Sequence, residues 1–432
     1  MLQLILSRAG YGKTEYVFSS IEKLVNKGES NILLITPEQF SFIAESRILK
    51  TLGEERANCV ESTSFTRLAS EILTEFSGDT LPVLSKGAKA VKMREAIEAV
   101  QDSLVLFNKN KITVSFINSV IKIYDEMKSC RVSVDDILEA SENTKKEILK
   151  RKLRDIAHII GAYDALIENE YFDPANELTR LYEHLLSQSY FKNRTVFIDG
   201  FSGFVAQEYK VLEVILKQAD KVYITFCTDS ANNTDKYDLF SYVNSNIRIL
   251  RGVTEKAGVE FCNPILLEGE NRFKNDELKL VEKYIYSNIK ETSDEEPENI
   301  SIYRAKNLSD ECDRVALEIS RLLRKGYKAR EIAVICRDLG EYERELNYSF
   351  SKYNVPYFDD ERQDINSQPL IMLVNFLLRC VMYSFRSEDI FSLLKTGLTA
   401  LSDEEICELE NYVYLWNING SAWKREFTKS TS

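Results

Sequence analysis

Short apolar runs separated by amphipathic stretches set the pattern of this chain. Leu2, Leu4, Ile5 and Leu6 make the first run, and Val17, Ile21, Leu24 and Val25 then recur at helical spacing. A second run, Ile32-Leu33-Leu34-Ile35, is stopped by Pro37. The same grammar returns at 195–199 (Thr-Val-Phe-Ile-Asp), 222–226 (Val-Tyr-Ile-Thr-Phe) and 332–336 (Ile-Ala-Val-Ile-Cys). Continuous rather than alternating runs suit strands buried on both faces of a parallel sheet. The pattern therefore predicts an α/β fold with strands at these places and helices between them.

Between about 85 and 170 the rhythm changes. Long amphipathic patterns over 114–127 and 145–167, with no buried strand, predict a helical insertion in the first α/β unit. The acidic, proline-bearing tract 291–298 reads as a linker, or alternatively a solvated loop, with a second α/β unit starting near Ile300. Residues 428–432 follow an unfinished helical pattern, as expected of a truncated product. No internal repeat or low-complexity stretch interrupts this order.

Composition narrows the class. The 432 residues, 44% hydrophobic and 29% charged, are those of an ordinary soluble protein long enough for two or three domains. No run of eighteen apolar residues occurs, and Met1 leads straight into the first strand without a signal-peptide layout, so a cytoplasmic protein is expected. The eight cysteines include no C-x-x-C pair, and the two histidines, His158 and His184, sit in helical patterns, so neither zinc nor a disulfide framework is indicated. A net charge of −12 argues against an autonomous, strongly basic nucleic-acid binder while leaving room for a local basic channel.

The first strand opens into Ser7-Arg8-Ala9-Gly10-Tyr11-Gly12-Lys13-Thr14. In the G-x-x-x-x-G-K-[ST] phosphate-binding loop, backbone N–H groups cradle the phosphates, the lysine reaches the β/γ oxygens and the hydroxyl ligates Mg²⁺. Gly12, Lys13 and Thr14 stand in the required places, and Ser7 replaces the first glycine. The second half of such a site is a carboxylate at the end of a neighbouring buried strand, holding Mg²⁺ through water, followed by a glutamate that activates the attacking water. Asp199 supplies that carboxylate, or else a turn residue at a strand end, and Gly200 stands where the glutamate belongs. General-base assistance is worth about 10²–10⁴ in rate, so the expectation is Mg-nucleotide binding with poor hydrolysis. Glu208 lies nearby in sequence. Arg337, following 332–336, is placed to offer a cation from a second domain, or is a surface arginine. No Ser-His-Asp or Cys-His arrangement occurs, and no catalytic residue is assigned.

In order along the chain, the blocks Leu6 to Thr14, Thr36-Pro37-Glu38-Gln39-Phe40-Ser41-Phe42, Thr63-Ser64-Phe65-Thr66-Arg67-Leu68-Ala69, Phe197-Ile198-Asp199-Gly200-Phe201-Ser202-Gly203-Phe204 and Val355-Pro356-Tyr357-Phe358-Asp359-Asp360 resemble the B subunit of the AddAB-type ATP-dependent helicase–nucleases. These are relatives of the UvrD-like superfamily 1 helicases. The I-D-G-F-[ST]-G-F block is the most specific, since in this family it replaces the helicase D-E-x-Q-D box. The resemblance implies two RecA-like P-loop domains. The first spans 1–80 plus 172–290 around a helical insertion at 81–171; after the linker 291–298 the second starts at 299–380, and a truncated helical insertion covers 381–432. It implies ATP and Mg²⁺ as ligands, and a heterodimer with an A subunit that carries the helicase motor and a nuclease. The complex resects double-strand breaks for homologous recombination. In the family, the nuclease and its cysteine-ligated iron–sulfur cluster lie C-terminal to this stretch, and no residue here is assigned to either.

The expected nucleotide site is therefore Ser7 to Thr14, with Thr14 and Asp199 toward the metal. Thr36, Phe40, Thr63, Phe65 and Arg67 are expected toward DNA, where hydroxyls, aromatics and a cation bind phosphates and stack bases. On spacing alone these are equally strand-to-helix turns with N-caps such as Ser64. Two other readings stay open: a structural, DNA-scanning subunit with a vestigial nucleotide site, and a stand-alone P-loop kinase or ATPase. No membrane partner is expected.

Overall fold

The computed structural model describes every residue except 77–80, 108–111, 169, 270–271, 288, 290, 295, 360–364 and 430–432. Glu295 of the acidic tract, Asp360 of the fifth block and the last three residues of 428–432 thus lie outside the described residues. The chain divides into two compact units, Met1–Ser301 and Ile302–Ser432.

The first unit runs β1 (Leu2–Ser7), α1 (Lys13–Asn26), β2 (Ile32–Ile35), α2 (Ser41–Leu52), α3 (Glu54–Ala57), β3 (Val60–Thr63) and α4 (Phe65–Phe76). Among the described residues four helices follow without a strand: α5 (Lys86–Val100), α6 (Val114–Ser129), α7 (Val134–Asn143) and α8 (Glu147–Ile167). The chain then returns through α9 (Glu177–Leu185), β4 (Thr195–Ile198), α10 (Ala206–Gln218), β5 (Lys221–Cys227), α11 (Ser241–Ala257), β6 (Ile265–Leu266) and α12 (Asp276–Tyr284). The strands form one six-stranded sheet in the order β3-β2-β4-β5-β1-β6, and every pairing is parallel. This is an α/β fold. The continuous apolar runs follow from burial on both faces: Leu4, Leu6, Leu33, Val196 and Ile224 pack toward α4, α9, α10 and α11, while Ile5, Leu34 and Phe197 pack against Val17, Ile21 and Ile48 of α1 and α2. The two-residue β6 carries too little pattern to be read from sequence.

Helices α5–α8 enclose a core of their own, centred on Met93, Tyr124, Ile159, Ile160 and Tyr163. At the neck, where the chain enters and leaves this block, Leu84 N–H donates to Phe172 O (2.8 Å) and Phe172 N–H donates to Pro82 O (3.0 Å). Behind it Lys89 Nζ pairs with the buried carboxylate of Asp173 (2.8 Å) and with Asp125 (2.6 Å), and Tyr163 Oη donates to Asp173 (2.7 Å). A charge this deep is tolerated because both carboxylate oxygens accept hydrogen bonds, Oδ1 from Lys89 and Ala175 N–H and Oδ2 from Tyr163.

The second unit holds α13 (Leu308–Arg324), α14 (Leu339–Lys352), α15 (Pro369–Met382), α16 (Ser387–Leu394) and α17 (Asp403–Leu415). Helices α13 and α14 pack through Ala316, Ile319, Leu346 and Phe350. The strand expected at 332–336 has no regular secondary structure and belongs to no ladder among the described residues, and Ile335 is 92% exposed. An apolar run becomes a strand only when a neighbouring strand meets its N–H and C=O groups, and none here does. No helix among the described residues is long and apolar enough to cross a membrane.

Lys89→Met, which leaves the Asp173 carboxylate buried without its cation, should destabilise the first unit by about 3 kcal/mol. Adding Asp173→Asn should recover part of that loss, with denaturant midpoints of the two variants as the measurement.

Candidate nucleotide site

The site is built where β1, β5 and β4 end side by side. β5 lies between the other two, with Ser7 paired to Cys227 and Ile198 paired to Ile224. Asp199, the residue after β4, is buried, and its Oδ1 accepts a hydrogen bond from the hydroxyl of Thr225 on β5. The parallel sheet thus carries the loop and the carboxylate to one edge, the usual place for a ligand in such folds.

The loop after β1 needs its glycines. Gly10 and Gly12 have φ of +86° and +87°, a region L side chains rarely adopt. Gly12 is also the N-cap of α1 and makes no side-chain cap, so the first N–H groups of that helix face the loop. Such an end is an anion site by geometry and dipole together. Ser7 is the last residue of β1 and is absent from the positive-φ residues, so replacing the usual first glycine costs no backbone strain here. The Lys13 ammonium donates to Ser7 O (2.8 Å), Arg8 O (2.9 Å) and Ser7 Oγ (3.3 Å). Burial holds this lysine below its ordinary range, while Cys227 and Asp199 pull it back up. Thr14, exposed in the first turn of α1, and Asp199 are hard oxygen donors of the kind Mg²⁺ takes alongside water.

Arg8 points away from the loop mouth. It pairs with Glu282 (2.8 Å) and Asp229 (3.1 Å) and lies over the ring of Phe240. Sequence reading missed Arg272, whose N–H donates to Gly10 O (3.1 Å). A β-carbon on Gly10 would stand 2.9 Å from that of Arg272. No local motif marks Arg272; only the fold brings it to the loop.

Gly200 is more than a missing glutamate. Its φ is +88°, and a β-carbon there would meet Pro37 Cδ at 3.3 Å, so any side chain at this position is strained by the backbone and crowded by the proline. Glu208 is otherwise engaged: its Oε2 caps α10 by accepting from Val205 N–H (2.8 Å), and burial raises its carboxyl pKa. Gly203 has its own constraint, since a β-carbon would stand 2.6 Å from Asn246 Nδ2, while Asn246 Oδ1 accepts from Phe204 N–H (3.2 Å).

The residues expected toward DNA separate. Phe65 is 4% exposed and packs edge-on against Phe201 and Phe204, so its ring belongs to the core and offers no stacking face. Thr63 and Thr36 are likewise buried, Thr63 donating its hydroxyl to Ser64 O (3.3 Å). These three corrections have one cause, burial: each side chain lies within the packing around the ends of β2 and β3. Phe40 and Arg67 do reach solvent, Arg67 paired with Glu45 (2.8 Å). Phe42, in the first turn of α2 and the last residue of the block Thr36 to Phe42, is 80% exposed. Arg337 lies in the second unit, exposed after the unpaired stretch 332–336.

The family model for the N-terminal region of AddB matches residues 4–282, and that for the UvrD-like helicase C-terminal domain matches 259–418. Proteins named as the B subunit of an ATP-dependent helicase/deoxyribonuclease are similar over almost the whole chain. That of Thermoanaerobacter pseudethanolicus is 33% identical over 99% of this chain and 38% of its own length. Those of Clostridium novyi and Acetivibrio thermocellus are 32% and 31% identical, over 97% and 98% of this chain and 37% of theirs. The chain therefore spans less than two fifths of the length of these relatives.

Gly200→Ala should cost roughly 1–3 kcal/mol in denaturant unfolding, from the left-handed backbone alone. Gly200→Glu should be no better tolerated and should confer no ATP hydrolysis, as read by phosphate release.

Proposed function

The chain belongs to the AddB N-terminal family, and on that premise we propose that it is the nucleotide-binding, helicase-like part of the B subunit of a heterodimeric ATP-dependent helicase–exonuclease. In this reading the complex resects double-strand breaks for homologous recombination repair in the cytoplasm. The partner is the A subunit of the same complex, and the substrates are duplex ends and single strands of DNA. The names of the relatives support it, as does the site: a phosphate loop with its lysine, a carboxylate one strand away, and no base.

The last feature carries the division of labour. Lys13 contacts the β/γ-phosphates, the loop from Ser7 to Thr14 and the start of α1 supply N–H donors, and Thr14 with Asp199, through water, holds Mg²⁺. Bound there, Mg²⁺ would neutralise charge on the phosphates. Hydrolysis further requires a group to take the proton of the attacking water, and Gly200 and Glu208 offer none. Binding without efficient turnover suits a subunit whose nucleotide sets a conformation while its partner drives movement. The vestigial-site alternative rests on Lys13 lying on carbonyls of its own loop.

Titration calorimetry with Mg-ATP separates the two. A live site binds at micromolar concentrations, and Lys13→Ala lowers affinity roughly 10- to 150-fold by removing a charge-assisted contact of about 1.5–3 kcal/mol; no heat with either ATP or a non-hydrolysable analogue would establish the vestigial scaffold. For the DNA face, Phe40→Ala with Phe42→Ala should weaken single-strand binding by the reconstituted heterodimer by about 1–3 kcal/mol per stacked base. Phe65→Ala should act on stability instead, and intact binding after loss of both exposed rings would remove this face from the DNA path.

A further inference from the structure

Helix α12 lies against the nucleotide loop without being part of any core: none of its residues is buried. Polar contacts hold it at two points. At its C-terminal end Glu282 receives Arg8 of the loop twice, Nε donating to Oε1 (2.8 Å) and Nη2 to the backbone carbonyl (2.8 Å). Toward its N-terminal end Glu277 accepts from the N–H of Asn299 (3.1 Å) and from its side-chain amide. Asn299 stands two residues before Ser301, the last residue of the first unit. Just upstream of α12, Arg272 N–H is bonded to Gly10 O.

From this we propose that α12 is a relay, taking up the state of the phosphate loop through Arg8 and passing it through Glu277 to the segment that leads into the second unit. The inference rests on nucleotide binding at the loop. Lys13 Nζ occupies Ser7 O and Arg8 O, the carbonyls flanking the Arg8 peptide. Phosphates that draw the ammonium away release both carbonyls and let the Arg8 backbone turn. Its guanidinium is fixed to α12 by two hydrogen bonds in a fork, a geometry that transmits orientation as well as proximity. None of the half-buried side chains of α12 joins a hydrophobic core, so the helix shifts with less loss of packing than a core helix and its position follows that fork.

Hydrogen–deuterium exchange on the whole chain, with and without a saturating Mg-bound non-hydrolysable ATP analogue, tests this. The expected result is protection of peptides covering 7–16, together with an exchange change of about threefold or more in 272–284 and 297–301. Glu282→Gln should keep the loop protection and lose the response of both distal segments, while Glu277→Gln should lose it only at 297–301. Loop protection with no change in α12 of the unsubstituted chain would overturn the relay and leave nucleotide binding standing. Absence of loop protection would overturn the nucleotide reading, and the relay with it. A distal response that survives in both variants would also overturn it, since coupling would then run by another route.

Discussion

Everything at the candidate site depends on one register, the parallel pairing of β4 and β1 on either side of β5. Ile198 opposite Ile224 sets Asp199 beside Thr225, and Ser7 opposite Cys227 sets the mouth of the phosphate loop two residues further along the same strand. Both groups are thereby measured against a single ruler buried on both faces. A slip of one residue would turn every side chain of a strand to the opposite layer, exchanging the core on one face of the sheet for that on the other. The apolar packing that stabilises the sheet also fixes the distance between lysine and carboxylate.

That edge is lined by positions where a side chain is excluded. Gly10 and Gly12 let backbone approach an anion, and Gly200 lets the chain leave Asp199 past Pro37. In the proposed reading the first two serve binding, and the third puts strain on any side chain placed where a base would act. The departure from a hydrolytic site is thus built into the backbone, not confined to one changed side chain. Asn246 strengthens it, accepting from Phe204 N–H and the Tyr209 hydroxyl so that the loop after Asp199 is pinned where it enters α10.

Much of this was legible beforehand, for identifiable reasons. Strands buried on both faces announce themselves as unbroken apolar runs, so β1, β2, β4 and β5 were plain, and the glycine-lysine-threonine spacing carries its chemistry in the pattern. What was not legible depended on distant partners. Phe65 reads as an aromatic on a strand-end loop until Phe201 and Phe204 close over it. Arg272 has no sequence mark because it meets Gly10 only through the fold. The run 332–336 has the composition of a strand, yet composition does not supply a neighbour to pair with.

Charged groups attach two parts that lie outside the sheet, in contrasting ways. At the neck of the helical block, Lys89 and Asp173 are almost wholly out of water and satisfied on every side; separating them exposes an uncompensated charge, so the attachment is rigid. At α12, Arg8 and Glu282 retain some contact with solvent and the helix buries no side chain. With 19% and 12% of their side-chain surfaces exposed, each ion keeps an edge toward water, so parting them costs less than at the neck while exceeding the roughly 1 kcal/mol of an exposed pair. A rigid neck keeps the helical block in place whatever the loop holds, whereas the pair at α12, less buried and directly bonded to the loop, is the one that a movement of Lys13 reaches first. The difference in burial is what allows the loop to move one neighbour and not the other.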